Sequence, residues 1–285
     1  MNGAARFGDT LAATFAASGH LCVGIDPHPF LLADWSLTDD AAGLREFGLR
    51  VVDATAGRAG IVKPQVAFYE RHGAAGYNAL EDVIAAARAA GLLVIADAKR
   101  GDIGTTVEAY GQSWLTPGSP LESDAMTISA FQGVGSIEAV HQLAESTGKG
   151  LFVLAATSNP ESAALQQAVL ASGRHAGRTV AGSIVAGVDD WNSNAAKLGS
   201  TGVVLGATIA LADYGITTAE LARTPILAPG FGSQGARLED VGSLYGAAAA
   251  NVIVNASRSI LGAGPHSLQT AIDSQVTEIA KAFAA

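Results

Sequence analysis

The chain has 285 residues, 49% of them apolar, and a formal net charge of −9. That is enough apolar residue for one large α/β core, and the acidic balance excludes a basic nucleic-acid footprint or a polybasic membrane patch. Cys22 is the single cysteine, so no internal disulfide can form, which suits a reducing cytoplasm; no apolar stretch reaches the length of a membrane span.

Residues 1–20 carry helical periodicity and Asp9 instead of the unbroken apolar core of a signal peptide, and are read as an N-terminal helical extension. From there short apolar runs alternate with Ala-rich helical segments. Strands are predicted at 21–25, 60–66, 92–97, 125–129, 150–157, 202–207, 225–229 and 251–255. Helices are predicted at 44–58, 74–90, 105–114, 136–146, 238–248 and 268–283, and residues 161–198 form an enlarged crossover with room for two more. Runs that are apolar throughout are buried on both faces, as in a parallel sheet. Eight strand–helix units favour a single-domain (β/α)₈ TIM barrel over residues 1–285, with an open doubly wound sheet as the alternative. In such a barrel the chemistry sits just beyond the C-terminal strand ends, so the polar residues there are the candidates.

The first strand runs into Asp26-Pro27-His28, where Asp26 either holds the turn or serves a site; Cys22, inside that strand, reads as a buried structural thiol. The second contains Lys63-Pro64-Gln65. Lysine in a buried strand is rarely there for packing, the competing explanation being a snorkelling edge residue. The third ends in Asp97-Ala98-Lys99-Arg100-Gly101-Asp102. Residues two apart in an extended chain share a face, so Asp97 and Lys99 should meet at the barrel mouth, while Asp102 either joins them or caps the helix that follows. Only five lysines occur in the chain, and two of them end adjacent strands, which points to a cation cluster in the mouth. The fifth strand ends Thr157-Ser158-Asn159-Pro160, a set able to bond an uncharged ring edge or to cap a helix. The seventh leads into Ala228-Pro229-Gly230-Phe231-Gly232-Ser233-Gln234-Gly235 and the eighth into Asn255-Ala256-Ser257-Arg258-Ser259. Barrels often hold phosphate at these last two loops; Gly230 and Gly232 let backbone N–H groups approach and let the loop act as a lid, and Arg258 offers a planar fork. The six histidines lack metal-ligand spacing, and neither a nucleophile elbow nor a Walker loop is present.

Asp97-Ala98-Lys99-Arg100-Gly101-Asp102 resembles the Asp-x-Lys-x-x-Asp signature of the orotidine 5′-phosphate decarboxylases. Gly24-Ile25-Asp26-Pro27, Val62-Lys63-Pro64-Gln65, Thr157-Ser158-Asn159-Pro160, the 229–235 loop and the Arg258 segment resemble that family's other motifs, in order, with wording similar to its longer bacterial branch. The resemblance implies decarboxylation of orotidine 5′-monophosphate to uridine 5′-monophosphate in pyrimidine biosynthesis, with no cofactor and no metal. It implies ribose contacts for Asp26 and Lys63, a place beside the substrate carboxylate for Asp97, and carbanion stabilisation with C6 protonation for Lys99. It further implies that Asp102 and Thr106 reach into the partner's site in a homodimer, that Ser158 bonds the pyrimidine edge, and that Gln234 and Arg258 hold the phosphate. Three alternatives stay open: a Mg²⁺-dependent sugar-phosphate decarboxylase or aldol-type synthase on the same barrel, a Schiff-base aldolase using Lys63 or Lys99, and a non-catalytic phosphate-ligand binding module.

Overall fold

A computed structural model of the protein describes residues 5–232 and 235–284. Eight parallel strands close into a barrel in sequence order: β1 Leu21–Ile25, β2 Ile61–Pro64, β3 Leu93–Arg100, β4 Ala125–Ser129, β5 Gly150–Ala156, β6 Thr201–Leu205, β7 Ile226–Pro229 and β8 Val252–Ala256. The ring is sealed by β1 on β8, with Cys22 opposite Asn255.

Each strand alternates between two apolar environments. Val23, Val62, Val94, Val153, Val203 and Val254 point outward under the helices. Cys22, Ile61, Ile95, Ala125, Phe152, Val204, Leu227 and Ile253 fill the lower lumen. The helix Phe7–Ser18 closes that end by inserting Phe7 and Leu11. Phe7 meets Phe152 edge-on at 6.0 Å, and it fits because Gly150 has no side chain: a Cβ there would lie 2.4 Å from the Phe7 ring.

The period of two then carries the lumen from apolar to polar. One step above Ile61, Ile95, Ala125 and Ile253 stand Lys63, Asp97, Thr127 and Asn255, and two steps above Cys22 stands Asp26. At the opposite rim, before β4 and β5, Lys149 donates to Glu122 (2.9 Å) and Asp124 (3.4 Å), and Asp124 accepts from the Val94 amide (2.9 Å). That face of a barrel serves stability.

Three connections differ from the sequence expectation. Within 238–248, Gly246 (φ 53°) interrupts the helix, leaving the 3₁₀ turn Leu238–Asp240, the short helix Val241–Tyr245 and the 3₁₀ stretch Gly246–Asn251. In the enlarged crossover only Val180–Trp191 is a full helix, capped by Thr179, whose hydroxyl accepts from Gly182; before it come the turn Pro160–Ser162 and the single-turn helix Ala163–Gln166. β3 continues past Asp97 to Arg100, because a bulge between Ala96 and Arg100 resumes the pairing with β4.

Candidate active site

The bulge in β3 builds the centre of the mouth. Lys99 takes φ 46°, a left-handed conformation that costs a side-chain-bearing residue free energy and is held only where the surroundings impose it. Simple alternation would bring Asp97 and Lys99 to one face; here they meet because the bulge turns Lys99 back, its Nζ donating to Asp97 Oδ1 at 2.6 Å. Thr127 on β4 fixes both. Its hydroxyl donates to Asp97 Oδ1 (2.9 Å) and accepts from the Lys99 amide (2.9 Å). The other oxygen, Asp97 Oδ2, accepts from Lys63 Nζ (2.7 Å) and Gln65 Nε2 (3.1 Å). Asp97 therefore accepts four donors.

The two lysines on that carboxylate differ in exposure. Lys63 has 6% of its side chain exposed, so it does not snorkel, whereas Lys99 has 46% exposed and faces the open mouth. Burial alone would push the Asp97 carboxyl up, but Lys63 and Lys99 outweigh it and hold the group well below the usual carboxylate range. Burial likewise disfavours the Lys63 ammonium, yet Asp97 and Asp26 beside it carry the net shift above the ordinary lysine value. Both groups stay charged near neutral pH. Below them, burial pushes the Cys22 thiol up to about 12, as expected of an inert structural cysteine.

Asp26 follows β1, and its Oδ1 is buried with no hydrogen-bond partner among the described residues. Asp102 accepts from the Ile103 amide (2.9 Å) and does not cap the following helix Gly104–Leu115, whose N-cap is Ile103. Among the described residues no bond joins Asp102 or Thr106 to the Asp97 cluster; Ile103, next to Asp102, is exposed (60%), as is Phe131 (75%) in the loop after the neighbouring strand β4. Ser158 lies over the end of β6, where a Cβ on Gly206 would meet its backbone nitrogen at 3.1 Å. The turn around it is tied down by Gln166, which accepts from the Thr157 amide (2.9 Å) and donates to the Thr157 hydroxyl (3.0 Å).

The loop after β7 folds on itself. The Ala236 amide donates to Gly230 (3.1 Å) and the Gly232 amide to Ala236 (2.9 Å). Gly230 (φ 120°) and Gly232 (φ 72°) need their glycines, and Gly232 faces Ser259 of the loop after β8, where a Cβ would meet it at 3.9 Å. Arg258 is exposed and begins the short helix Arg258–Leu261. The expected phosphate ligand Gln234 lies outside the described residues. Thr127 and Gln65 were not read as site residues from the sequence; Gln65 sat inside a quoted motif, but a threonine in a β-strand carries no signal of its own.

A closed (β/α)₈ barrel with a Lys–Asp–Lys array preset on its C-terminal rim and a glycine-rich loop before a terminal arginine is a barrel enzyme with its site at the usual face. The chain belongs to the Orotidine 5′-phosphate decarboxylase / HUMPS family, whose model matches residues 19–271. It is 51% identical over 256 residues to the orotidine 5′-phosphate decarboxylase of a Nocardioides species, covering 90% of this chain and 91% of that one. To the Streptomyces coelicolor enzyme of the same name it is 46% identical over 282 residues, covering 98% and 99%. A crystal structure from Streptomyces avermitilis superposes with a TM-score of 0.92 at 46% identity, covering 99% of this chain and 98% of that one. Leishmania donovani OMP decarboxylase gives 0.78 at 30%, covering 98% and 100%. Among the described residues no helix is long and apolar enough to cross a membrane.

Proposed function

We propose that this chain decarboxylates orotidine 5′-monophosphate to uridine 5′-monophosphate and CO₂, in cytoplasmic pyrimidine synthesis. The observation that carries the reading is the half-exposed Lys99 ammonium, pinned at 2.6 Å to a buried carboxylate that two lysines keep ionised. The bond from C6 to the carboxylate carbon breaks, CO₂ leaves and the electron pair stays on C6 in an orbital the ring cannot delocalise. Lys99 stabilises that pair and gives it a proton. Its neutral amine then regains a proton from solvent, to which the side chain is open. Preorganised charge of this kind acts without reorganisation at the moment of reaction.

Asp97 sits beside the departing carboxylate, Lys63 and Asp26 bond the ribose, and Ser158 bonds the pyrimidine edge. Arg258, Gln234 and the backbone at Gly230 and Gly232 hold the phosphate, whose binding energy orients the reacting end. Asp102 and Thr106 complete the site of a second copy in a homodimer; the exposed Ile103 next to Asp102, with exposed Phe131 in the loop after the neighbouring strand, supports an apolar contact there. Mixing Lys99→Ala with Asp102→Ala protomers tests this, because each mixed dimer would rebuild one intact site and random exchange would restore about a quarter of wild-type activity.

The deciding experiment is purified protein with orotidine 5′-monophosphate in EDTA, followed by ultraviolet absorbance. Loss of orotate absorbance at an undiminished rate supports the proposal. No turnover, with EDTA-sensitive turnover of a sugar phosphate instead, would give the chain to the Mg²⁺-dependent branch of the family.

A further inference from the structure

The mouth of the barrel is divided into two unlike sectors. On β2, β3 and β4 the polar groups satisfy one another: Lys63, Gln65, Asp97, Lys99 and Thr127 form one closed set of bonds. On β1 and β8 they do not. Of the six buried side-chain atoms without a partner among the described residues, three lie here: Asp26 Oδ1, Asn255 Oδ1 and Ser257 Oγ.

Asn255 faces the lumen by the alternation of β8, since Ile253 below it lines the lumen while Val252 and Val254 face the helices. It stands opposite Cys22 on one side and Pro229 on the other. Ser257 is turned over Gly24, where a Cβ would lie 1.8 Å from its Oγ, so the glycine makes the space that the hydroxyl occupies. Ser257 is the residue before the helix Arg258–Leu261, yet its side chain does not cap that helix. A buried polar atom left unbonded costs free energy, and a native structure that leaves several together has a partner for them.

We propose that Asn255 and Ser257 are substrate-binding residues that take the ribose-phosphate half of the nucleotide. This rests on the function proposed above, because it is Asp26 at the ribose and Arg258 at the phosphate that bracket the pair along the rim. A neutral amide and a hydroxyl can bond sugar hydroxyls and ester or phosphoryl oxygens without adding charge to the Lys–Asp–Lys array.

The test uses the full-length enzyme and Asn255→Leu and Ser257→Ala variants. Dissociation constants of uridine 5′-monophosphate and of uridine are measured by calorimetry, together with melting temperatures without ligand. Each substitution is expected to weaken the nucleotide about tenfold, the effect of one lost neutral hydrogen bond. Without ligand the variants should melt at or above the wild-type temperature, because each loses an unsatisfied group; a structural role would lower it. A nucleotide affinity within twofold of wild type in both variants overturns the proposal, as does a drop in melting temperature that accounts for the weakened binding. If wild type neither binds the nucleotide nor turns over orotidine 5′-monophosphate, the proposed function fails instead, and the two failures are distinguishable.

Discussion

Replacing Lys99 separates the chemistry of the mouth from its stability. In Lys99→Ala the ammonium is gone but Asp97 keeps Lys63, Gln65 and Thr127. The lost ion pair is half exposed on the lysine side, so about 1 kcal/mol or less of stability goes with it. The catalytic loss is far larger. An ammonium ~4 Å from a developing carbanion at an effective dielectric of ~20 contributes about 4 kcal/mol, roughly three decades of rate. Loss of the proton donor removes about two to four decades more. Turnover should therefore fall at least 10⁵-fold by these combined estimates, with circular dichroism unchanged. Backbone strain supplies an internal control, because alanine keeps the left-handed φ of 46° whereas glycine adopts it freely. Lys99→Gly should be as inactive as Lys99→Ala yet more stable by about 1 kcal/mol, or about 2 °C in Tm. Stopped assays with high enzyme give the rates and calorimetry gives the melts. If Lys99→Ala keeps more than about a tenth of wild-type turnover, the role given to the ammonium is wrong.

Thr127→Val removes the hydroxyl that locks Asp97 and the Lys99 amide while keeping the shape; kcat should fall about 10–100-fold with KM little changed, and Thr127→Ser should recover most of it. A Thr127→Val enzyme within twofold of wild type would remove the residue from the mechanism. Lys63→Met leaves a buried carboxylate with Gln65, Thr127 and only one cation, the half-exposed Lys99, and should cost about 3 kcal/mol in urea unfolding. The sign of its pH dependence follows from the two shifts. Asp97, held low, contributes stability that is whole above about pH 4 and goes only in stronger acid; Lys63, held high, contributes stability that is whole below about pH 10.5 and goes as pH climbs past its raised value. The gap between wild type and Lys63→Met should thus stay level from pH 5 to 9, and a steep slope there would contradict the assignment. Cys22, buried with its thiol pushed up to about 12, should resist an aromatic disulfide reagent at pH 8 in the native enzyme and react fully once unfolded, so prompt native labelling would count against the packing.

The barrel was legible because its strands are continuous apolar runs, and burial on both faces leaves little else for such runs to be. All eight predicted strands overlap observed ones. Boundaries failed where a local device overrode the pattern: the β3 bulge added residues after Asp97, and Gly246 broke a segment whose composition favours helix. The Asp–Lys motif was visible as charges ending a buried strand, although the contact between its members came from a bulge and not from alternation. Thr127 stayed hidden, and Asn255 and Ser257 stood only within the phosphate-side segment with no role of their own, for a common reason. Each is a small polar residue whose significance lies in what stands across the lumen, and that relation exists only after the ring closes between β1 and β8.

The unequal burial of the two lysines on Asp97 explains why one carboxylate needs both. With Lys63 alone the array would be buried and satisfied, but it would present no cation to a ligand. With Lys99 alone, a carboxylate in the lumen wall would depend on a half-exposed ammonium that solvent competes for, and its charge would be poorly held. Lys63 fixes the anion, and the fixed anion then orients Lys99 at the opening before any ligand arrives. Thr127 holds the strained backbone that aims it. Across the lumen the opposite applies, for Asp26 Oδ1, Asn255 Oδ1 and Ser257 Oγ have no partner among the described residues. A ligand entering the mouth therefore gains little by disturbing the first sector and much by satisfying the second. In the binding mode proposed above, that difference would orient a nucleotide with its sugar and phosphate toward β1 and β8 and its reacting carbon toward Lys99.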